Sequence, residues 1–262
     1  MAVTLDARVL PNRRNSSGIP YQPPADERVI LSAPVPDDLT ALVKPEFVLV
    51  AWAAGLALVS ASVALARVVG PGFTWLVASI AGVIGVVGLF AEDPWWARFG
   101  LILLALGLIV ARNRQLSGIL QVFAGLALLI QASAGGWTPA ISAALALGGV
   151  TGEMALGHWY LVDPRLPRWI LKTLAFVGIA GLALDSTVLA VAGLPSGSGT
   201  IAYWVLMATS VVLMAAVVGS LRYPAYSGVM AATGLSYLAV LTTLGGMFLG
   251  RALVAGVGPF AS

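Results

Sequence analysis

The sequence predicts an all-α fold, a polytopic integral membrane helical bundle with about eight transmembrane helices. Of 262 residues, 59% are hydrophobic and only 10% are charged, where a soluble domain carries roughly a quarter charged residues. So few charges cannot cover a surface that faces water, and most of the outer face must meet lipid. Mean hydropathy is +0.95. Beyond residue 45 the apolar sequence is cut by Gly, Pro and charged residues into eight stretches, most of them near the ~20 residues a bilayer needs.

Residues 1–45 are different in kind. Seven prolines fall here, counting Pro45, and Arg8, Arg13, Arg14, Arg28 and Lys44 are balanced by Asp6, Asp26, Glu27, Asp37 and Asp38. There is no helical period, which predicts an extended or disordered tail suited to clasping another subunit. No apolar leader segment is present in it, so insertion is expected to start at the first internal helix. Residues 46–262 then form the bundle.

The first span is predicted over about Phe47–Val69, closed by Gly70-Pro71-Gly72. The second covers Phe73–Phe90 and stops at Glu92-Asp93-Pro94. The third starts at Trp95-Trp96 and ends at Arg112-Asn113-Arg114. The fourth covers Leu116–Ala134, and Gly135-Gly136-Trp137-Thr138-Pro139 separates it from the fifth, which runs to Val162. The sixth lies between Arg168 and Gly193, the seventh between Thr200 and Leu221, the eighth between Tyr226 and Val254. The third and fourth are short, and a re-entrant pair there would leave seven units. The phrase Ala-Gly-Leu-Ala-Leu occurs at Ala54, Ala124 and Ala180, which an alphabet rich in Ala, Gly and Leu explains without duplication.

Arg67, Arg112, Arg114, Arg165, Arg168, Lys172 and Arg222 sit at the odd-numbered loops, against Arg98 alone at the even ones. The positive-inside rule therefore places the odd loops in the cytoplasm and both termini outside, in the cell's inner membrane.

One stretch, Gly148 to Arg168, concentrates the chemistry. It holds the only histidine, His158, and a carboxylate set in apolar sequence, Glu153. An acid in hydrocarbon costs several kcal/mol unless it is protonated, paired or wetted, so Glu153 and Asp185 are the catalytic candidates. Glu153 lies roughly 13 Å from the end of its helix and Asp185 roughly 20 Å from Lys172, at comparable depths on consecutive helices. Glu153 shares a stripe with Gly149, Gly157 and Tyr160, which points it into the bundle. His158 lies about 140° further round the helix and is expected to border the same pocket without touching Glu153.

His158, Trp159 and Tyr160 lie one turn from the cytoplasmic edge. As a binding set they suit a quinone, with the imidazole or phenol bonding a carbonyl and Trp159 packing on the ring; as structural residues they form an interfacial belt. For Asp185 the alternative is a locally capped kink with Ser186 and Thr187. For Arg251, snorkelling to the interface is expected.

The composition also excludes. A single histidine cannot supply a bis-histidine haem, and no cysteine means no thiolate iron–sulfur ligation. The ligands for zinc are too few, so neither haem, iron–sulfur cluster nor zinc is expected from this chain alone. A net charge of +3 spread over loops and tail gives no nucleic-acid footprint. P-loop, GxSxG and HExxH patterns are absent.

These readings converge on a non-haem membrane subunit of a redox complex, with lipids and further subunits as partners, a quinone near His158 and a proton relay at Glu153. A proton-coupled small-solute transporter using Glu153 with Asp185, and a scaffold without chemistry, are the alternatives.

Overall fold

A computed structural model describes residues 45–91, 93–164 and 166–254. The predicted tail lies outside the described residues except for Pro45, which opens the first helix. Eight α-helices follow in order: α1 (Pro45–Leu65), α2 (Pro71–Gly85), α3 (Trp95–Ile109), α4 (Arg114–Ala132), α5 (Trp137–Val162), α6 (Arg168–Ala192), α7 (Ser198–Ser220) and α8 (Tyr226–Val254). A 3-10 segment, Val86–Phe90, extends α2. No strand occurs among the described residues, as an all-α membrane bundle requires when every backbone group must be satisfied within its own segment.

Punctuation in the sequence sets the ends. Pro71 stands in the first turn of α2, where its missing N–H is not needed. The Asn113 side chain accepts from the Leu116 amide and caps α4, satisfying one of the orphan donors of a helix start. Gly193 closes α6 at φ 82°, a conformation that costs glycine little.

Side-chain contacts give the direction of each helix. Gly88 lies against Val50 and Gly85 against Ala53, so α2 runs antiparallel to α1. Gly118 meets Leu65 and Gly125 meets Leu58, so α4 is also antiparallel to α1. Gly55 meets Ala144 and Gly152 meets Val59, which makes α5 parallel to α1. Gly149 faces Gly178 and Gly181 faces Ala146, reversing α6; Gly246 meets Met207 and Gly250 meets Tyr203, reversing α7 against α8. The eight helices thus alternate in direction.

Seven of these helices are long and apolar enough to cross a membrane, so the protein is a multi-pass membrane protein. The exception is α3, at 15 residues or about 22 Å. It nevertheless runs the length of α4, from Ala97, whose amide donates to the Gln131 side chain at 3.1 Å, to Gly107 beside Gln121. It therefore carries the chain from the α2 end back to the α4 start, and it does not turn back on itself.

Two ends result. The basic end holds the α1–α2, α3–α4, α5–α6 and α7–α8 connections, with Arg67, Arg112 and Arg222. The terminal end holds the start of α1, the end of α8 and the other connections. The outward faces are apolar: Phe90, Ile109 and Val191 are each more than three-quarters exposed. Trp95, Trp96 and Trp137 are exposed near the terminal end, and Trp169, Tyr223 and Tyr226 near the basic end, as interfacial belts are.

The centre is α5. It passes between α1 and α6 at backbone contact: a Cβ added to Gly149 would stand 2.4 Å from the Gly178 nitrogen, and one on Gly55 2.2 Å from the Ala144 carbonyl. In lipid no hydrophobic drive brings helices together, and close packing of small residues takes its place.

Candidate functional site

On α5 the stripe Gly149, Glu153, Gly157 and Tyr160 is buried throughout, as its spacing predicts. Glu153 is fully enclosed where α5 meets α8. Its Oε2 accepts a hydrogen bond from the Ser236 hydroxyl. The same hydroxyl lies 2.8 Å from the Ala232 carbonyl. One hydroxyl proton cannot serve both acceptors, so the seam accommodates two proton arrangements. An ionised Glu153 takes the Ser236 proton; a protonated Glu153 donates to Ser236 Oγ, which then donates to Ala232.

The other carboxylate oxygen, Oε1, is buried with no protein hydrogen-bond partner. It lies toward Gly157, where an added Cβ would meet Thr233 Oγ1 at 2.7 Å and Glu153 Oε1 at 3.8 Å. Gly157 therefore lets Thr233 approach closely, with no room for a methyl group between them, and the Thr233 hydroxyl donates to the Val229 carbonyl at 2.9 Å.

His158, Trp159 and Tyr160 do not converge. Consecutive helical residues project about 100° apart, and here each finds a different neighbour. His158 is exposed and its Nδ1 lies 3.4 Å from the Tyr237 hydroxyl of α8. Trp159 turns to α2 and packs edge-on against Phe73, centroids 5.8 Å apart. Tyr160 is buried and receives Arg168, with Nε 3.4 Å from its hydroxyl and Cζ 5.9 Å from its ring centre. Arg168 also donates to the carbonyls of Tyr223 and Pro224, fastening the α7–α8 turn. Tyr160 stays on the Glu153 stripe, whereas His158 meets α8 through Tyr237 on a different, exposed face of α5.

Asp185 sits at another level. Its carboxylate is gripped by Arg251, Nη2 to Oδ1 at 2.5 Å and Nη1 to Oδ2 at 3.2 Å. The Ser142 hydroxyl of α5 adds a third bond at 2.7 Å. Two expectations are corrected here. Arg251 does not snorkel: it is 2% exposed, with Cζ 5.3 Å from the Phe47 ring centre, because a buried counter-charge on α6 outcompetes the distant interface. Asp185 is not capped by its own helix; Thr187, which bonds the Ala183 carbonyl, makes only the local contact. Ser142 and Glu153 stand eleven residues apart on α5, about 16 Å along the axis, so Glu153 and Asp185 are separate stations and not a touching pair.

Comparison with protein-family models, characterised proteins and solved structures finds no match for this chain. The site is therefore read from its own chemistry. Among the described residues, no group of three or more His, Cys, Asp or Glu side chains is placed to hold a metal ion.

Sequence reasoning missed Ser142, Thr233, Ser236, Tyr237 and Thr243. Hydroxyl side chains in apolar helices carry little hydropathy signal and readily bond their own backbone. The available clue was spacing: Thr233, Ser236 and Thr243 lie three and seven residues apart, on one face of α8.

Proposed function

We propose that the protein is a non-haem integral membrane subunit of a redox complex in the cell's inner membrane, in which Glu153 relays protons to a quinone. The observation that carries this reading is a fully buried carboxylate with one unpartnered oxygen, a turn or two from a histidine–tyrosine pair open to the lipid side. Intramembrane acids in bundle interiors mark proton pathways more often than ornament.

The quinone would lie against the α5–α8 seam, one carbonyl bonded by His158 or Tyr237. Trp159 is taken up by Phe73 and Tyr160 by Arg168, so the proposed carbonyl contact falls to His158 or Tyr237. Reduction to quinol takes up two electrons and two protons. The electrons come from a carrier in a partner subunit, which the polar residues 1–45 would help to hold. Protons pass through Glu153, whose contact with Ser236 suits both protonation states. A proton-coupled transporter finds less support, because α5 and α8 run unbroken past the acids, whereas transporter sites typically sit at discontinuous helices.

Glu153→Gln keeps the shape and removes the exchangeable acid. In membranes containing the intact complex it is expected to lower quinone-linked turnover by about a hundredfold, the scale of a lost proton-transfer group. A photoreactive quinone should label α5 or α8. Unchanged turnover together with no labelling would overturn the proposal.

A further inference from the structure

Among the described residues, several of the buried polar atoms that lack protein partners share one face of the bundle, with Gln121 Oε1 on α4 standing apart. Glu153 Oε1, Thr243 Oγ1 and Arg251 Nε are three of them, and their residues are at most 2% exposed. All three belong to one column along the inner face of α8. Taking Ser236 as reference, Thr233, Thr243 and Arg251 project within a sector of about 80° at 100° per residue. Glu153 stands level with Ser236. Thr243 is about 10 Å further along, and Arg251 about 12 Å beyond that. At the terminal end the first turn of α1 adds Glu46, whose Oε2 is also buried without a protein partner, next to Phe47, which packs under Arg251.

Protein interiors rarely leave such groups unsatisfied, and those without a protein partner are where internal water is held. A hydroxyl midway along the column can pass a proton only through water held in the intervals of about 10 and 12 Å, with Arg251 Nε donating a hydrogen bond to that water and not carrying the proton. Toward the basic end Thr233 and Gly157 lie beside Glu153 on the same face, while the His158–Tyr237 contact is exposed and lies off it.

We infer that Glu153 exchanges protons with the terminal end of the bundle along this face of α8, through Thr243 and past the Arg251–Asp185 pair. The inference rests on Glu153 being a relay, and it adds the route and the membrane side. Thr243 is the hydroxyl that bridges the two halves. Asp185 is a positioning residue: with Ser142 it holds Arg251 inward, so that Nε faces the column.

The test uses the full-length protein in liposomes enclosing a pH-sensitive dye, with a potassium diffusion potential driving protons. Wild type is expected to conduct above protein-free vesicles. Glu153→Gln and Thr243→Val should both fall to the protein-free level, while Thr243→Ser retains conduction. Valine matches threonine in shape, and elution as a single species in detergent checks that the variant is folded. Conduction by Thr243→Val equal to wild type would overturn the route and leave the relay standing. Absence of conduction by wild type would also overturn the route, while quinone-linked turnover judges Glu153 independently.

Discussion

Two carboxylates in the membrane interior are handled in opposite ways. Asp185 has its bonds filled, by both Arg251 nitrogens and by Ser142. Glu153 has one oxygen bonded to Ser236 and one left open. The first arrangement suits holding and the second suits exchange. A buried ion pair adds little net stability, yet removing one partner strands a charge. Arg251→Met is therefore expected to destabilise the protein in detergent by about 3–5 kcal/mol. Replacing both residues, Asp185→Leu with Arg251→Met, should recover most of that loss. Chemical denaturation of the single and double variants checks it; a double variant as weak as the sum of the singles would show that the ion pair is not the source. Both acids stand out in the sequence, because a charge in an apolar run is conspicuous. Their partners do not, because pairing across helices depends on which faces meet.

The helices are held by approach distance more than by side-chain volume. Between α5 and α6, Gly149 and Gly178 leave no room for a methyl group. Gly149→Ala is expected to cost about 1–3 kcal/mol, as overpacking does, with a lower midpoint of thermal unfolding in detergent. Gly82→Ala, at a position with no atom within 4 Å of the added Cβ, should change stability by no more than about 0.5 kcal/mol. Equal effects at the two sites would refute the contact account. Element boundaries were readable because Pro, Gly and charged residues interrupt each apolar run; α8, for example, spans Tyr226–Val254 as predicted. Which glycines bear a contact was not readable, since Gly82 and Gly149 look alike in sequence.

Across the whole molecule, the alternating directions collect Arg67, Arg112, Arg114, Arg168 and Arg222 at one end, and the positive-inside rule assigns that end to the cytoplasm. The chain has no cysteine, so single substitutions report without background. Ser196→Cys, in the α6–α7 connection at the terminal end, should react with a membrane-impermeant maleimide on intact cells. Tyr223→Cys, in the α7–α8 connection, should react only after permeabilisation. The reverse pattern would invert the orientation, and labelling of both on intact cells would contradict the alternation. Labelling in the expected pattern would also give the proposed proton route a sense, from Glu153 toward the side away from the cytoplasm.

Composition and punctuation alone determined that this is an all-helical membrane bundle, where its helices begin and end, and that Glu153 faces inward. Those properties are local: hydropathy, a 3.6-residue period and a helix breaker are each written within one segment. Tertiary structure decided that Arg251 turns to Asp185 and that Trp159 and Tyr160 leave His158 for other neighbours. It also decided that Ser236 of α8 bonds Glu153 and that Thr233 lies close by. Each of these is a contact between segments tens of residues apart, set by how closely small residues let the helices approach and by the rotation at which they then lock.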